Sequence, residues 1–139
     1  FDSVARDPSA DLVAHHNHPS STSFSPADLF MLEKYPGVTE LYAHGHNGSL
    51  YMVNSVAAGT KEYLNQVLMP YLNAYWQEPV GAGQITATEV NQVVMHALMI
   101  VLARKKLISY EFELQGASLK TMRKHAALFE AFIEDVMAQ

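Results

Sequence analysis

Residues 11–35, DLVAHHNHPSSTSFSPADLFMLEKY, restrict the possible fold more than any other stretch of the chain. They set a short apolar lead-in, suited to a strand at a sheet edge, against the start of a helix, with the six-residue loop PSSTSF between them. Ser25 stands at the N-cap, Pro26 supplies the φ of a first helical residue, and Asp28 falls in the first turn, where its charge favours the helix dipole. Pro36 and Gly37 end that helix. Strand, loop and capped helix in this order read as α/β.

The segments VTELYAH and SLYMVNS flank GHNG, and an Asn-Gly between two β-prone runs predicts a hairpin with strands at about 38–44 and 49–54. Residues 1–10 carry turn and coil formers. Residues 58–76 read as a helix, QEPVGAG (77–83) as a linker, and 86–105 as a long helix opened by a capping box of Thr86 and Glu89. LISYEFELQ (107–115) alternates and predicts a strand, and 117–138 reads as one closing helix with an apolar face of Leu119, Met122, Ala126, Phe129, Ile133 and Val136. The expectation is one domain over 1–139: strand, helix and hairpin in 1–56, then a mostly helical extension in 57–139.

With 139 residues, 49% hydrophobic and 17% charged, the chain is large enough for a core of its own. Its net charge of −5, with basic residues scattered apart from Arg104, Lys105 and Lys106, gives no footprint for a phosphate backbone, so nucleic acid is not an expected partner. The longest apolar run, VVMHALMIVLA (93–103), is about half a bilayer span and reads as a buried helix, so no membrane is expected and the cytoplasm is the expected compartment. The chain opens on Phe1 and not on methionine, which reads as a fragment or processed product. There are no cysteines, so any transition metal must be held by histidine and carboxylate.

In a strand, residues i and i+2 share a face at a Cα spacing of ~6.5 Å, so His16 and His18 converge while His15 points the other way. Asp28, ten residues on in the first turn of the helix, supplies a third ligand if the loop folds back. Two imidazoles and a carboxylate suit zinc and leave a fourth position for water, the open coordination in which bound water ionises near pH ~7. Ser25, one turn before Asp28, is then close enough to donate a hydrogen bond to a developing oxyanion, although an N-cap serine already uses its oxygen on the backbone. Seven histidines give about 0.35 H-x-H pairs by chance, and a second pair exists at His44 and His46, so the pair alone decides nothing. Requiring Pro, Ser and Asp at their offsets cuts that expectation by a factor on the order of 10⁻⁴.

H-x-H-P followed by S-x-x-D after an apolar strand resembles the JAMM (MPN-plus, JAB) metalloprotease family, and HNHPS is similar to its RadC-type and phage-associated bacterial branches. The resemblance covers 11–35, and the hairpin 38–54 agrees in order. It implies a cytidine-deaminase-like α/β/α core, a zinc ion on His16, His18 and Asp28, and Ser25 assisting the tetrahedral intermediate. It also implies hydrolysis of peptide or isopeptide bonds in a protein or peptide substrate, a ubiquitin-like tail among the candidates. Two departures stand out. The loop before Ser25 has six residues where the family usually has seven, so it must be tighter or differently routed. The family's general base is a glutamate well upstream of the histidines, whereas only Asp2, Asp7 and Asp11 precede the site here. The base then comes from upstream residues, another chain or a later segment, with Glu111 and Glu113 as candidates, or hydrolysis has been lost. The alternative is a non-catalytic metal-holding or interaction module in a phage-like or secretion assembly.

The remaining candidates have plainer readings. His15 packs or hydrogen-bonds on the far side of its strand. His44 and His46 are surface or substrate-facing, His96 is a core residue and His125 a surface one, while Tyr71, Tyr75 and Trp76 fall at spacings that suit packing.

Overall fold

The computed structural model describes residues 2–139. After a short helix α1 (Asp2–Ala5), strand β1 (Leu12–His18) leads into helix α2 (Pro26–Lys34) and the hairpin of β2 (Val38–Gly45) and β3 (Leu50–Asn54). Helix α3 (Thr60–Tyr63), a π-helical turn (Leu64–Leu68), α4 (Met69–Tyr75) and α5 (Gln77–Gly81) follow. The chain closes with α6 (Ala87–Arg104), strand β4 (Ser109–Glu113), α7 (Gly116–Lys124) and α8 (Ala126–Met137).

The four strands form one mixed sheet in the order β1-β2-β3-β4. β1 and β2 run parallel, joined through α2, whereas β2–β3 and β3–β4 are antiparallel. The register pairs His16 with Ala43, Ala43 with Tyr51 and Tyr51 with Phe112, so these four share one face. It pairs His15 with Tyr42, Tyr42 with Met52 and Met52 with Glu111 on the other.

A single hydrophobic cluster covers the first face, and α2 to α8 all contribute to it, from Leu29 through Leu64, Leu68, Leu72, Val80, Val93, Ala97 and Met122 to Phe132 and Val136. Val13, Tyr42, Leu50 and Met52, on the second face, lie outside it. Helices α2 to α8 are therefore layered on one side of the sheet, where an α/β/α core places helices on both. Residues 57–139 supply β4 and most of the buried positions, so the helical part and the sheet share one interior. Trp76 packs its ring 5.0 Å from Phe129 and 5.1 Å from Phe132, which fastens α4 to α8.

Several elements depart from the sequence reading for identifiable reasons. Coil was expected over 1–10, but residues of α1 and its exit wrap Gly37: the Ala5 carbonyl accepts from Gly37 N–H at 2.7 Å, and Ala5 is buried. A Cβ at position 37 would lie 2.5 Å from the Val4 carbonyl, so only glycine fits. The helix expected at 58–76 widens to a π turn just before Pro70, which has no N–H and would clash with a regular preceding turn. The expected linker 77–83 forms the short helix α5, which ends at Gly81 and is followed by Gly83 with φ +74°. The closing helix is broken at His125 (φ −114°, ψ 27°), whose ring pairs with Glu89 at the start of α6 at 3.1 Å. No helix among the described residues is long and apolar enough to cross a membrane.

Candidate metal centre

Alternation along β1 turns His16 and His18 to the inner face and leaves His15 on the outer one. At the start of α2 the expected cap is complete: Ser25 Oγ accepts from Asp28 N–H at 3.3 Å, and Asp28 Oδ2 accepts from Ser25 N–H at 2.9 Å. The Ser25 hydroxyl also donates to Oδ2, at 3.1 Å. Oδ2 is thus held by the cap and faces His18, while Oδ1 faces His16.

The six-residue loop between them is tight. Ser21 adopts φ +60°, a conformation costing a non-glycine residue about 1–2 kcal/mol. Three bonds impose it: Ser21 N–H donates to the His18 carbonyl at 2.8 Å, Asn47 N–H donates to Ser21 Oγ at 3.0 Å, and the buried Tyr51 hydroxyl donates to the Ser21 carbonyl at 2.8 Å. Gly45 lets the hairpin approach, since a Cβ there would sit 3.0 Å from Ser21.

The result is a convergent triad. His16 Nδ1 lies 3.4 Å from Asp28 Oδ1 and His18 Nε2 lies 3.6 Å from Asp28 Oδ2. The three residues each offer a ligand atom, all within 4.8 Å of one another, and among the described residues they are the one such group. Ligands at ~2.0–2.1 Å on the corners of a tetrahedron stand ~3.4 Å apart, so these side chains are spaced to share a small cation. His18 Nδ1 lies 2.8 Å from the Thr22 carbonyl. A carbonyl only accepts, so Nδ1 carries a proton and Nε2 is the nitrogen turned toward Asp28, the outer-shell arrangement typical of metal-bound histidine. His18 and Asp28 side chains are 15% and 14% exposed and His16 33%, so the site opens to solvent on the His16 side.

Glu111 and Glu113 do not reach this centre. β4 is separated from β1 by two strands, about 14 Å at ordinary strand spacing, and both glutamates project from the opposite face. Asp7 accepts from Ser9, and Asp11 accepts from the Thr39 hydroxyl. Asp2 has a side chain outside the described ones. His44 lies on the outer face with its Nε2 2.8 Å from His15 Nδ1, both rings stacked beside Tyr42, and His46 is exposed in the hairpin turn.

Of two further histidines, His96 lies in the core as expected and His125 departs from its surface reading. His125, expected at the surface, is 10% exposed and paired with Glu89. His96, expected in the core, is 1% exposed, and burial pushes it down to about 4, so the ring is neutral. Its Nδ1 is 2.7 Å from the Tyr110 hydroxyl, which lies 2.8 Å from Ser23 Oγ. Burial holds the Tyr110 phenol well above its ordinary range, so it keeps its proton. Sequence reasoning also missed the Thr22 carbonyl, for which the only available signal was the short loop.

No family model matches the chain, and neither a curated protein nor a solved structure matches it.

Proposed function

We propose that this chain is a zinc-dependent peptidase or isopeptidase of JAMM type, acting on protein or peptide substrates in the cytoplasm. The observation that carries the reading is the spacing of His16, His18 and Asp28 at 3.4 and 3.6 Å, with the His18 tautomer fixed by Thr22. The motif HNHP…S-x-x-D supports it, because the residues that define the motif in sequence are the residues that meet in space. His16, His18 and Asp28 hold the ion. When bound, zinc supplies a Lewis acid for an amide carbonyl and lowers the pKa of water toward neutrality.

The chain's own groups divide the remaining work. The strand and the capped helix fix the ligands from two sides, so the site is organised before an ion arrives. Ser25 spends its proton on Asp28 in this state and can offer it to a developing oxyanion only by turning from Oδ2. A second reading, a metal-holding module without hydrolysis, is favoured by one observation: no further carboxylate joins the triad among the described residues, and Glu111 and Glu113 face away.

The test is metal content and affinity together with hydrolysis of an unfolded polypeptide and a ubiquitin-like isopeptide conjugate. The expected result is about one zinc per chain and zinc-dependent cleavage, with His16→Ala removing both. A folded chain that binds zinc but cleaves neither substrate supports the module. A folded chain that takes up no divalent ion overturns both readings.

A further inference from the structure

Behind the triad runs a chain of polar groups with no place in the chemistry above. Ser23 is 3% exposed and His96 1%, and the Tyr110 hydroxyl bridges them. Their surroundings are aromatic: Phe24 packs edge-on to Tyr51 and Tyr110 at ring separations of 6.4 and 6.3 Å, and Phe112 packs edge-on to His96 at 4.3 Å. Apolar side chains would fill this volume without the requirement that every polar atom find a partner, so a satisfied polar chain specifies a position more than it adds cohesion.

The position it specifies is that of the loop. Thr22 is bracketed by two anchored neighbours: Ser21, whose carbonyl accepts from Tyr51, and Ser23, whose hydroxyl meets Tyr110. Thr22 in turn presents its carbonyl to His18 Nδ1, and Phe24 packs edge-on to the His18 ring at 6.3 Å. Two phenols on neighbouring strands, β3 and β4, thus hold the two residues that flank Thr22, whose backbone carbonyl meets His18 Nδ1.

We infer that Tyr110, backed by His96 and assisted by Tyr51, is a positioning residue for the metal centre: through Ser23 it holds the tight loop so that the Thr22 carbonyl keeps His18 in the Nδ1–H form, with Nε2 free for the ion. Neither Tyr110 nor His96 touches the ion. The metal part of this inference rests on the function proposed above, but the tautomer part does not.

The test uses Tyr110→Phe, which deletes one oxygen, and Ser23→Ala, which breaks the same link from the loop side. Tyr71→Phe is the control, since that hydroxyl donates to Asp135 at 2.7 Å, away from the site. The His18 ring nitrogens are read by 15N NMR on the metal-free protein at pH 8, where ordinary imidazoles are neutral. Co2+ affinity is read by competition with a chromophoric chelator, and the coordination geometry by the cobalt absorption bands. Wild type and Tyr71→Phe are expected to show the Nδ1–H form and matching affinity. Tyr110→Phe and Ser23→Ala are expected to gain a substantial Nε2–H population, weaken Co2+ binding by about tenfold and shift the cobalt bands. If Tyr110→Phe fails to fold, Ser23→Ala decides. Folded variants that keep both the wild-type tautomer and the wild-type affinity overturn the inference. A wild type that binds no Co2+, with the tautomer change still seen in the variants, overturns the metal reading and leaves the positioning role standing.

Discussion

Acidifying the metal-free protein should weaken it over a pH range that belongs to His96. The ring is 1% exposed, with burial pushing it down to about 4 from an ordinary value of 6.5. Above pH 6.5 the ring is neutral in both the folded and the unfolded chain, and its contribution is fully present. As the pH falls below 6.5, the unfolded chain takes up a proton that the folded chain refuses, and stability declines until about pH 4, where both are protonated. The gap is worth roughly 3 kcal/mol, of which about 2.5 kcal/mol is already lost at pH 4.5. Glu89, pulled down to about 2 chiefly by the Thr86 backbone N–H it accepts, loses its contribution only below its ordinary 4.5, and so does Glu130, lowered chiefly by Arg104. Urea unfolding in chelator, followed through Trp76, the only tryptophan in the chain, is the assay at pH 7.5 and 4.5. The wild-type midpoint should drop by about 1–2 M between the two. His96→Asn costs stability at both pH values through lost ring packing, but its drop should be smaller by about 2.5 kcal/mol. A His96→Asn protein whose stability falls as steeply as the wild type would refute the reasoning, because the proton uptake would then belong to other groups.

Asp28→Ala should abolish metal uptake and, without metal, cost about 1 kcal/mol, since both Ser25 donors lose their acceptor. Ser25→Ala should cost a similar amount yet still bind metal, and calorimetric titration beside thermal melting separates the two. Lys106 sits just past α6 with φ +62°, where the Leu107 N–H donates to the Leu102 carbonyl at 2.9 Å, a helix ending usually made by glycine. Lys106→Gly should therefore raise stability by about 1 kcal/mol, seen as a melting temperature roughly 4 °C higher, and a lower one would contradict the assignment.

What could be read from the sequence was what is decided locally. The cap at Ser25, Pro26 and Asp28, the box at Thr86 and Glu89 and the Asn47–Gly48 hairpin depend on neighbours within a few residues, and all three appear in the fold. The triad was legible for the same reason: strand alternation places His16 beside His18, and the short loop limits where Asp28 can go. What stayed hidden is set at long range. The break at His125 answers to Glu89, 36 residues earlier, while residues 117–138 alone carry an uninterrupted helical pattern. The alternation in β4 was evident, but which face Glu111 takes relative to His16 depends on a register carried through β2 and β3. The left-handed Ser21 carries no glycine to announce it. The Thr22 carbonyl is a backbone atom, for which residue identity gives no sign.

The carboxylate at the head of α2 has one oxygen that already accepts twice from Ser25, so its other oxygen is the less encumbered of the two for a cation the triad could hold. Beside it stand two imidazoles, a donor set poorer in oxygen than the six to eight that calcium gathers. Because the same residue closes the first turn of that helix, any cation held there would couple its own release to fraying of the turn and would protect this corner of the chain from local opening.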